Sequence, residues 1–420
     1  MPNDSPLLVG LDVGTTKICA LVAELDAERE HGLRILGVGL EPARGMRKGV
    51  VVNVEEASQA IAAAVDKAQR SAGYEIGAAF VSLAGAHINS VNSRGVAGVA
   101  GSSQGIDQDD IDRALDAAQA IAIPHGREVL HIIPRGFTVD GQDGIRQPLG
   151  MHGFRLEVEA HIITAATTSI QNLTKCVEAA GVQVEGFVLN PLASAEVTLT
   201  DTEKEMGVVV CDIGGGTTDL AIYIDGQVWH TLVLAVGGNH ITADIAHGLR
   251  LPADVAEQIK TQYGHAVASE VGSMETFTIQ PFGEDNPVQV SRADLATIIE
   301  ARVEELFSLT LQEIKRTGYD GLLPAGVALT GGASQLPGIR KVASEVLNLP
   351  SRVAAPQNLH GLVDQLVGPA YSTSVGLLHW ALRESIVAPR TPGGKKKKKG
   401  ARSLTVDLDK GLDILKRLLP

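Results

Sequence analysis

Apolar runs separated by polar turns divide the start of the chain into strands followed by a helix. Residues 7–13, 17–25 and 33–41 are strand-like, and a Gly-Thr-Thr turn joins the first two. From 55 to 70, apolar residues recur every three or four positions, which predicts an amphipathic helix. Three strands followed by a helix are typical of the beginning of an α/β domain.

The same pattern begins again in the second half of the chain. An apolar run at 206–213, a glycine turn and a returning strand at 219–224 repeat the first hairpin. In this register GLDVGTTK corresponds to VCDIGGGTTD, and Asp12 falls on Asp212. A single long-range duplication without short periods predicts two related α/β domains and excludes a solenoid.

Residues 86–160 interrupt this pattern. They are rich in Gly and polar residues, with a helix expected at 107–121 and strands near 129–139 and 153–160. The α/β pattern returns in 161–186 with a strand, HIITAAT, and a helix. We therefore predict that 86–160 is an inserted subdomain.

These changes of pattern predict how the whole chain is divided. In the second half we expect a mostly helical region at 239–318, which contains a polar hairpin at 274–290. After it we expect a strand at 325–330 and two helices at 334–347 and 372–385. The predicted units are subdomain IA (1–85 and 161–205), inserted subdomain IC (86–160), subdomain IIA (206–236 and 319–387), helical subdomain IIB (237–318), a flexible basic linker (388–402) and a terminal amphipathic helix (403–420).

Composition narrows the class of protein. The chain is 44% hydrophobic and 20% charged, which is ordinary for a globular protein of 420 residues. Its cysteines, Cys19, Cys176 and Cys211, lack disulfide or metal-binding spacing and are expected to be small buried residues. The N-terminus lacks a signal-peptide pattern, and no apolar run approaches the ~18 residues of a membrane span, so we expect a soluble or peripheral protein.

Charge is divided between an acidic body and a basic tail. The chain carries −13, but residues 391–420 contain nine Lys or Arg and three Asp, so this tail carries +6 and the remainder −19. A body this acidic argues against nucleic-acid binding. The basic tail indicates a negatively charged partner for the tail alone.

The duplicated turns carry the candidate chemistry. Their glycines let backbone N–H groups approach phosphate oxygens closely, and the Thr hydroxyls add further donors. Asp12 and Asp212, at the ends of the two strands, would repel phosphate unless a divalent cation lies between them, and Mg²⁺ commonly keeps its waters and takes one or two carboxylates. Two such hairpins facing each other predict a clamp for a triphosphate and its Mg²⁺.

Two further patterns fit a nucleotide. The strand in GVALTGGA ends in Gly331, Gly332 and Ala333, small residues that leave room for a flat base. Glu257 and Lys260 are three residues apart on a predicted helix and therefore on one face, where they could hold ribose hydroxyls. A pair of this kind taken alone is more often a surface ion pair.

The motifs GLDVGTTK, DIGGGTTD and LTGGA, in that order, resemble the phosphate 1, phosphate 2 and adenosine motifs of the superfamily of actin, sugar kinases and heat-shock chaperones. No G-x-x-x-x-G-K-[ST] motif of a P-loop protein is present. Within the superfamily the chain resembles the FtsA family of bacterial cell division proteins over nearly its whole length, through GLDVGTTKICALVAE, VVCDIGGGTTDLAIY, Gly-Gly-Asn at 237–239, GVALTGGASQLPGI and YSTSVGLLHWA. The resemblance implies an α/β, actin-like (ribonuclease-H-like) fold with duplicated domains around a nucleotide cleft and an FtsA-type inserted subdomain.

The resemblance also implies ATP and Mg²⁺ as cofactors. Asp12 and Asp212 would hold Mg²⁺ through water, and Gly331, Gly332 and Ala333 would flank adenine. The remaining implied nucleotide contacts are Gly14, Thr15, Thr16 and Lys17 on one side, Gly214, Gly215, Gly216, Thr217 and Thr218 on the other, and Gly238, Glu257 and Lys260, the last two near ribose.

Asn190, in the stretch VLNPLASAEV, departs from a common pattern. Related actin-like proteins often have Glu at this position, placed to activate water, and Asn cannot serve as a general base. We therefore predict ATP binding with at most slow hydrolysis, and no metabolic kinase activity. Asn190 also suits the N-cap of a helix that begins at Pro191, and both interpretations can hold together.

The tail repeats leucines at helical spacing. One face of the predicted helix carries Leu404, Leu408, Leu412, Leu415, Leu418 and Leu419. Such a helix is long enough to lie in a membrane interface and too polar to cross a bilayer. The periodicity also fits a helix that packs on the body or on a partner, but the polybasic linker and the family resemblance favour an anionic membrane surface.

The resemblance implies a role and partners. FtsA-like proteins lie on the cytoplasmic face of the inner membrane at the division septum, polymerise, bind the C-terminal peptide of the tubulin-like protein FtsZ and so anchor its ring, and recruit later division proteins, here through the inserted subdomain. Arg302, on a helix predicted at 291–317, is the candidate contact for the acidic FtsZ peptide, although an exposed arginine without a role fits equally.

Two alternatives remain. A sugar kinase would need a substrate-activating Asp in the cleft and longer insertions, which the sequence does not show. A PilM-like scaffold of type IV pilus assembly shares the motifs, but PilM-like proteins lack the basic tether and terminal amphipathic helix.

Overall fold

The computed structural model describes residues 7–26, 32–100, 105–120, 123–357 and 359–387. The predicted basic linker (388–402) and terminal amphipathic helix (403–420) lie outside the described residues, so their leucines are not placed.

The described residues form an alternating series of strands and helices. The strands are β1 Leu8–Val13, β2 Lys17–Asp26, β3 Gly32–Pro42, β4 Met46–Arg47, β5 Val50–Val51, β6 Ala78–Leu83, β7 Asn89–Gly98, β8 Arg127–Val139, β9 Gln142–Ile145, β10 Arg155–Ala166, β11 Gln183–Leu189, β12 Val208–Ile213, β13 Thr218–Ile224, β14 Gln227–Leu234, β15 Thr276–Ile279, β16 Val288–Ser291, β17 Gly326–Thr330, β18 Ser351–Val353 and β19 His360–Gly361. The α-helices are α1 Val54–Ala72, α2 Gln108–Gln119, α3 Thr167–Ala179, α4 Asn190–Thr198, α5 Asp201–Met206, α6 Gly238–Leu249, α7 Ala253–Tyr263, α8 Arg292–Thr317, α9 Ile339–Leu347 and α10 Ser372–Val387.

Two sheets repeat the same strand order, which confirms the predicted duplication. The first is β11-β6-β1-β2-β3, extended at its edge by β19, and the second is β18-β17-β12-β13-β14. In each, an antiparallel hairpin (β1 with β2, β12 with β13) lies beside a parallel strand (β6 or β17). Helices cover both sheets, so strands such as β12 are buried along their whole length and read as continuous apolar runs. This is the expected actin-like α/β fold.

The inserted segment has its own sheet and core. Its strands lie in the order β7-β10-β8-β9, and α2 packs on β7 and β10 with Ile111, Ala114 and Leu115 buried. The strands expected separately at 153–160 and 161–167 are one continuous strand, β10, that pairs with both β7 and β8. The inserted sheet is therefore joined to the first half through an unbroken strand.

The helical region of the second half packs around α8. Ser291 caps this helix by accepting a hydrogen bond from the Ala293 N–H, and Gly318 ends it. The polar stretch expected to be hairpin-like is the β15–β16 hairpin. The helix expected at 334–347 is shorter than predicted, because Pro337 and Gly338 separate a 3₁₀ turn from α9.

Among the described residues, no helix combines the length and the apolar character needed to cross a membrane.

Candidate functional site

The two hairpin turns have the same local geometry. The Gly14 N–H donates to the Lys17 carbonyl at 3.0 Å, and the Gly214 N–H donates to the Thr217 carbonyl at 2.9 Å. The strand before each turn, β1 or β12, has an aspartate as its penultimate residue. The repeated sequence therefore folds into repeated turns at the ends of the two buried hairpins.

The two turns line the same cleft and lie in close contact with each other. A Cβ added to Gly216 would lie 2.6 Å from Thr15 Oγ1, and one added to Gly215 would overlap Thr16 Oγ1. Larger side chains would force the two halves apart, so glycine is needed for this close approach. At the start of α6, the Asn239 N–H donates to the Gly215 carbonyl at 2.8 Å, which ties the second turn to α6.

The cleft has a volume of about 470 Å³ and collects nearly all of the residues predicted from the sequence. Those that line it are Asp12, Gly14, Thr15, Thr16, Lys17, Asn190, Asp212, Gly214, Gly215, Gly216, Thr217, Gly238, Glu257, Lys260, Gly331, Gly332 and Ala333. Residues from distant parts of the sequence thus converge on one concave surface.

Of the predicted site residues that the structure describes, two lie elsewhere. Thr218 is fully buried, and its hydroxyl donates to the Val236 carbonyl at 2.8 Å, so its side chain is directed away from the cleft. Arg302, on α8, is half-buried; its guanidinium binds Asp244 of α6 with two nitrogens at 2.6 and 2.9 Å, and it also contacts Glu305. The residue predicted to bind an acidic peptide is therefore already paired with a carboxylate.

Hydroxyl groups surround the two aspartates. Asp12 accepts hydrogen bonds from Ser82 at 2.9 Å and Ser374 at 2.7 Å, while Asp212 accepts one from Thr373 at 2.7 Å. Burial, opposed by the Thr373 hydrogen bond and reinforced by the Asp12 charge, raises the pKa of Asp212 to about 6. Positive charge placed between the two carboxylates would relieve this unfavourable environment.

Lys17 lines the cleft, and its ammonium group lies between Asp12 and Tyr371. Lys17 Nζ lies 3.9 Å from Asp12 Oδ2 and 4.0 Å from the centroid of the Tyr371 ring. It is buried and hydrogen-bonds to no described residue. A buried ammonium with free donors, beside two turns that present N–H and hydroxyl groups, is complementary to an anion.

Glu257 and Lys260 form a network on one wall, as their spacing predicted. Lys260 Nζ donates to Glu257 Oε2 at 2.6 Å, to Thr242 Oγ1 at 2.9 Å and to the Gly238 carbonyl at 3.2 Å. Thr242 also donates to Glu257. The network holds α7 against α6 and presents half-buried polar groups to the cleft.

Gly331 must be glycine for two reasons. Its φ angle of +83° lies in the left-handed region, and a Cβ would lie 2.5 Å from the Ile213 carbonyl oxygen and closer still to Asp212 Oδ1. The turn after β17 therefore packs directly on the acidic strand end.

Asn190 lines the cleft but does not cap its helix. The helix begins at Asn190 itself, with Leu189 in the N-cap position and no side-chain capping bond, so the interpretation as an N-cap is wrong. Asn190 Oδ1 is buried and accepts no hydrogen bond from the described residues. The side-chain amide therefore remains available to a group inside the cleft.

Several cleft residues were missed by the sequence reasoning. Asp219 is buried beside Asp212 and accepts a hydrogen bond from Thr217 at 2.9 Å; burial and the Asp212 charge hold its pKa well above the usual range. The second aspartate of DIGGGTTD was a visible signal for it. Thr373 and Ser374 belong to the YSTS stretch that carried the family resemblance but suggested no role.

Within the described residues, no group of three or more His, Cys, Asp or Glu side chains has the arrangement to hold a metal ion.

Two protein-family models match the chain. Residues 209–376 match the model of the cell division protein FtsA, and residues 85–164 match the model of the SHS2 domain inserted in FtsA.

Relatives that bear the name cell division protein FtsA align with most of the chain. The protein of Pseudomonas aeruginosa is 45% identical over 378 residues, covering 90% of both chains. That of Neisseria meningitidis is 41% identical over 385 residues, covering 91% of this chain and 92% of the relative. That of Bacillus subtilis is 37% identical over 404 residues, covering 96% and 90%.

Solved structures with the same fold are more distant in sequence. The PilM-PilN type IV pilus biogenesis complex contains a chain with a TM-score of 0.65 and 15% identity, covering 89% of this chain and 98% of that one. MreB5 of Spiroplasma citri bound to ADP gives a TM-score of 0.52 at 15% identity, covering 90% and 95%. At these identities the likeness shows the fold alone.

Proposed function

The chain belongs to the FtsA family of cell division proteins, and on this basis we propose that it is an ATP-binding adaptor that attaches the FtsZ ring to the inner face of the membrane. The observation that carries the ATP part of the proposal is the buried ammonium of Lys17, which lies 3.9 Å from Asp12 but donates no hydrogen bond to a described residue, in the cleft lined by both Gly-Thr turns.

The phosphate groups fit the facing turns. Both turns offer backbone N–H groups, the first turn adds the hydroxyls of Thr15 and Thr16, and Lys17 adds a charged donor. We propose that Gly14, Thr15 and Thr16 contact the phosphates from one side and that the Gly214–Thr217 turn contacts them from the other. Thr218 would act only by supporting this second turn, because its hydroxyl is bound to Val236.

A magnesium ion fits the acidic strand ends. Asp12 and Asp212 both line the cleft with Lys17, and burial together with the Asp12 charge disfavours the ionised form of Asp212, which a cation between the two carboxylates would favour. Their hydroxyl donors leave lone pairs on the carboxylate oxygens for metal-bound water. When bound, the ion would neutralise charge on the phosphates, while the two aspartates orient its water ligands.

The base and sugar fit the part of the cleft lined by the turn after β17 and by α7. Gly331, Gly332 and Ala333 provide a surface without bulky side chains, and Glu257 with Lys260 offers hydrogen-bond partners for ribose hydroxyls. Gly238 lies close to both groups, since a Cβ added to it would lie 3.2 Å from Ala333 Cβ and 3.6 Å from Lys260 Nζ.

We further propose that ATP hydrolysis is slow. Asn190 lies in the cleft with a free amide oxygen, which can orient water by accepting a hydrogen bond but cannot remove a proton. Binding without rapid turnover suits an adaptor whose assembly depends on the bound nucleotide.

Calorimetric titration with Mg-ATP tests the nucleotide site. Lys17→Met keeps the length of the side chain and removes its charge, so affinity for Mg-ATP should fall by about tenfold or more, as expected for a hydrogen bond between charged groups. Lys67→Met is the matched control, because Lys67 pairs with Glu41 at 2.6 Å outside the cleft. Wild-type affinity in Lys17→Met would contradict the proposed phosphate site.

Membrane attachment is proposed for the tail. Residues 388–420 combine five consecutive lysines with leucines at helical spacing, a combination suited to an anionic membrane surface. Because three aspartates weaken this helix as an anchor, we expect loose binding by one molecule and firm binding by a filament of many copies.

The partner surfaces are proposed on the two accessory subdomains. The FtsZ peptide is assigned to the helical region around α6 and α8, where an acidic peptide would compete with Asp244 for Arg302. Later division proteins are assigned to the inserted subdomain, which borders a second cavity of about 490 Å³ lined by residues of the insert and of the body. Head-to-tail contact between copies would produce the filament.

A further inference from the structure

The first turn of α10 binds both aspartates of the cleft. Thr373 donates to Asp212 Oδ2 and its neighbour Ser374 donates to Asp12 Oδ2, each at 2.7 Å. All four side chains are less than a tenth exposed. Two adjacent hydroxyls on one helix therefore fix two carboxylates that belong to different halves of the molecule.

The helix itself is packed into the first half. Gly376 lies directly against the Ala193 carbonyl of α4, with no room for a Cβ, and a Cβ on Gly10 of β1 would lie 2.9 Å from Leu377 Cβ. Val375 and Leu378 are buried in the cluster that contains the outer face of β1 and β2. The Thr373 hydrogen bond to Asp212 thus reaches from a helix seated on the first sheet to the end of a strand of the second.

The hydroxyls of Thr373 and Ser374 each hold one carboxylate oxygen, Oδ2 of Asp212 and Oδ2 of Asp12. An ionised carboxylate has about four lone-pair positions, so an oxygen that accepts one hydroxyl can still accept a metal-bound water. Asp12 is held at both oxygens, by Ser82 and Ser374, and Asp212 is confined by Thr373 and by the backbone at Gly331. Neither carboxylate can rotate freely away from the cleft.

We propose that Thr373 and Ser374 are positioning residues for the divalent cation: they hold Asp212 and Asp12 in the orientation that receives it and so fix the distance between the two halves at the site. This inference rests on the proposed binding of Mg-ATP. The hydroxyls need not touch the nucleotide or the cation, and their effect should be confined to the part of nucleotide affinity that depends on Mg²⁺.

The test compares ATP affinity with Mg²⁺ and with EDTA in the full chain. Thr373→Val preserves the shape of the side chain and removes its hydroxyl. The ratio of the ATP affinity with Mg²⁺ to that in EDTA should fall by about tenfold or more, because one hydrogen bond to a charged group is lost. Ser374→Ala should behave alike. Affinity measured in EDTA should stay within about twofold of the wild type, since the phosphate turns are unchanged.

Two further variants separate positioning from general stability. Thr373→Ser keeps a hydroxyl and should restore the Mg²⁺ dependence. Ser372→Ala is the control on the same turn, because Ser372 accepts from Thr330 at 2.7 Å and contacts neither aspartate. It should leave the Mg²⁺ dependence unchanged.

Each outcome decides between the explanations. A wild-type Mg²⁺ dependence in Thr373→Val would overturn the proposal, and so would an equal loss of affinity with and without Mg²⁺, which would indicate a purely structural role. A wild-type chain that binds no ATP under either condition would overturn the proposed function and this inference with it, whereas the other two outcomes leave ATP binding intact.

Discussion

Acidification should weaken the packing of the inserted subdomain against the rest of the molecule, because two buried histidines favour the neutral form. His131, on β8, accepts a hydrogen bond from the Leu189 N–H at 3.2 Å and lies 5.3 Å from the ring of Trp380 on α10. His161, on β10, bonds Asn92 and Thr231 through its two ring nitrogens at 2.6 and 2.9 Å.

Both histidines are neutral in the folded protein. Burial, with a smaller effect of the Arg383 charge, lowers the pKa of His131 to about 3. Burial also lowers the pKa of His161 to about 3, with further contributions from nearby His230 and Arg135. Since the unfolded value is near 6.5, the unfolded chain binds more protons between about pH 6.5 and pH 3. The stability contributed by each neutral histidine is therefore complete above about pH 6.5 and is lost as the pH falls toward 3.

The size of the effect follows from these values. Between about pH 7.5 and pH 5, one histidine with a pKa of about 3 in the folded state and about 6.5 in the unfolded state removes roughly 2 kcal/mol from the free energy of unfolding. The two histidines together should remove roughly 4 kcal/mol, a large share of the stability of a typical domain.

Urea unfolding at the two pH values measures this loss. In His131→Gln, which can keep an acceptor for the Leu189 N–H and does not titrate, the loss on acidification should be smaller than in the wild type by roughly 2 kcal/mol. His152→Gln is the control, because His152 is exposed. An identical pH dependence in wild type and His131→Gln would refute the assignment of a buried neutral histidine.

The remaining predictions concern the cleft and the peptide surface. Gly331→Ala should weaken Mg-ATP binding by about tenfold or more in calorimetry, because its left-handed backbone costs roughly 1–2 kcal/mol and its Cβ displaces the acidic strand end; unchanged affinity would contradict this. Asn190→Glu should raise ATP hydrolysis in a phosphate-release assay by about tenfold or more, since it supplies a general base, and no increase would exclude this position from water activation. Asp244→Asn should strengthen FtsZ-peptide binding by releasing Arg302, whereas Arg302→Met should weaken it; equal affinity in both variants would remove Arg302 from the peptide site.

The cleft beside the two duplicated turns was predictable because its signals are local. Each duplicated turn is a short glycine stretch between two apolar strands, and the duplicated aspartates gave the register of the repeat. The pairing of Glu257 with Lys260 followed from helical spacing alone. Elements of this kind depend on neighbours within a few residues, and the structure places them where the pattern indicated.

Elements that depend on distant partners were missed. The parallel strands β6, AAFVSL, and β11, QVEGFVL, contain Ala, Glu and Gly, which are depleted in strands, so their own sequence carries little strand signal although they pair with β1 and with each other. The hydroxyls of Thr373 and Ser374 meet carboxylates 161 and 362 residues away in sequence, which no local pattern reports. Thr217 and Thr218 look alike in the sequence, but only Thr217, in the turn, lines the cleft, whereas Thr218 begins β13 and its hydroxyl binds the Val236 carbonyl.

Co-sedimentation with anionic liposomes in the presence of Mg-ATP tests the proposed membrane adaptor most directly. The full chain should pellet with the liposomes and bring FtsZ with it, while a chain truncated at Ala388 should remain in the supernatant together with FtsZ. If the full chain and the truncated chain both stay soluble, the tail is a protein-docking helix, and the membrane-attachment proposal is wrong.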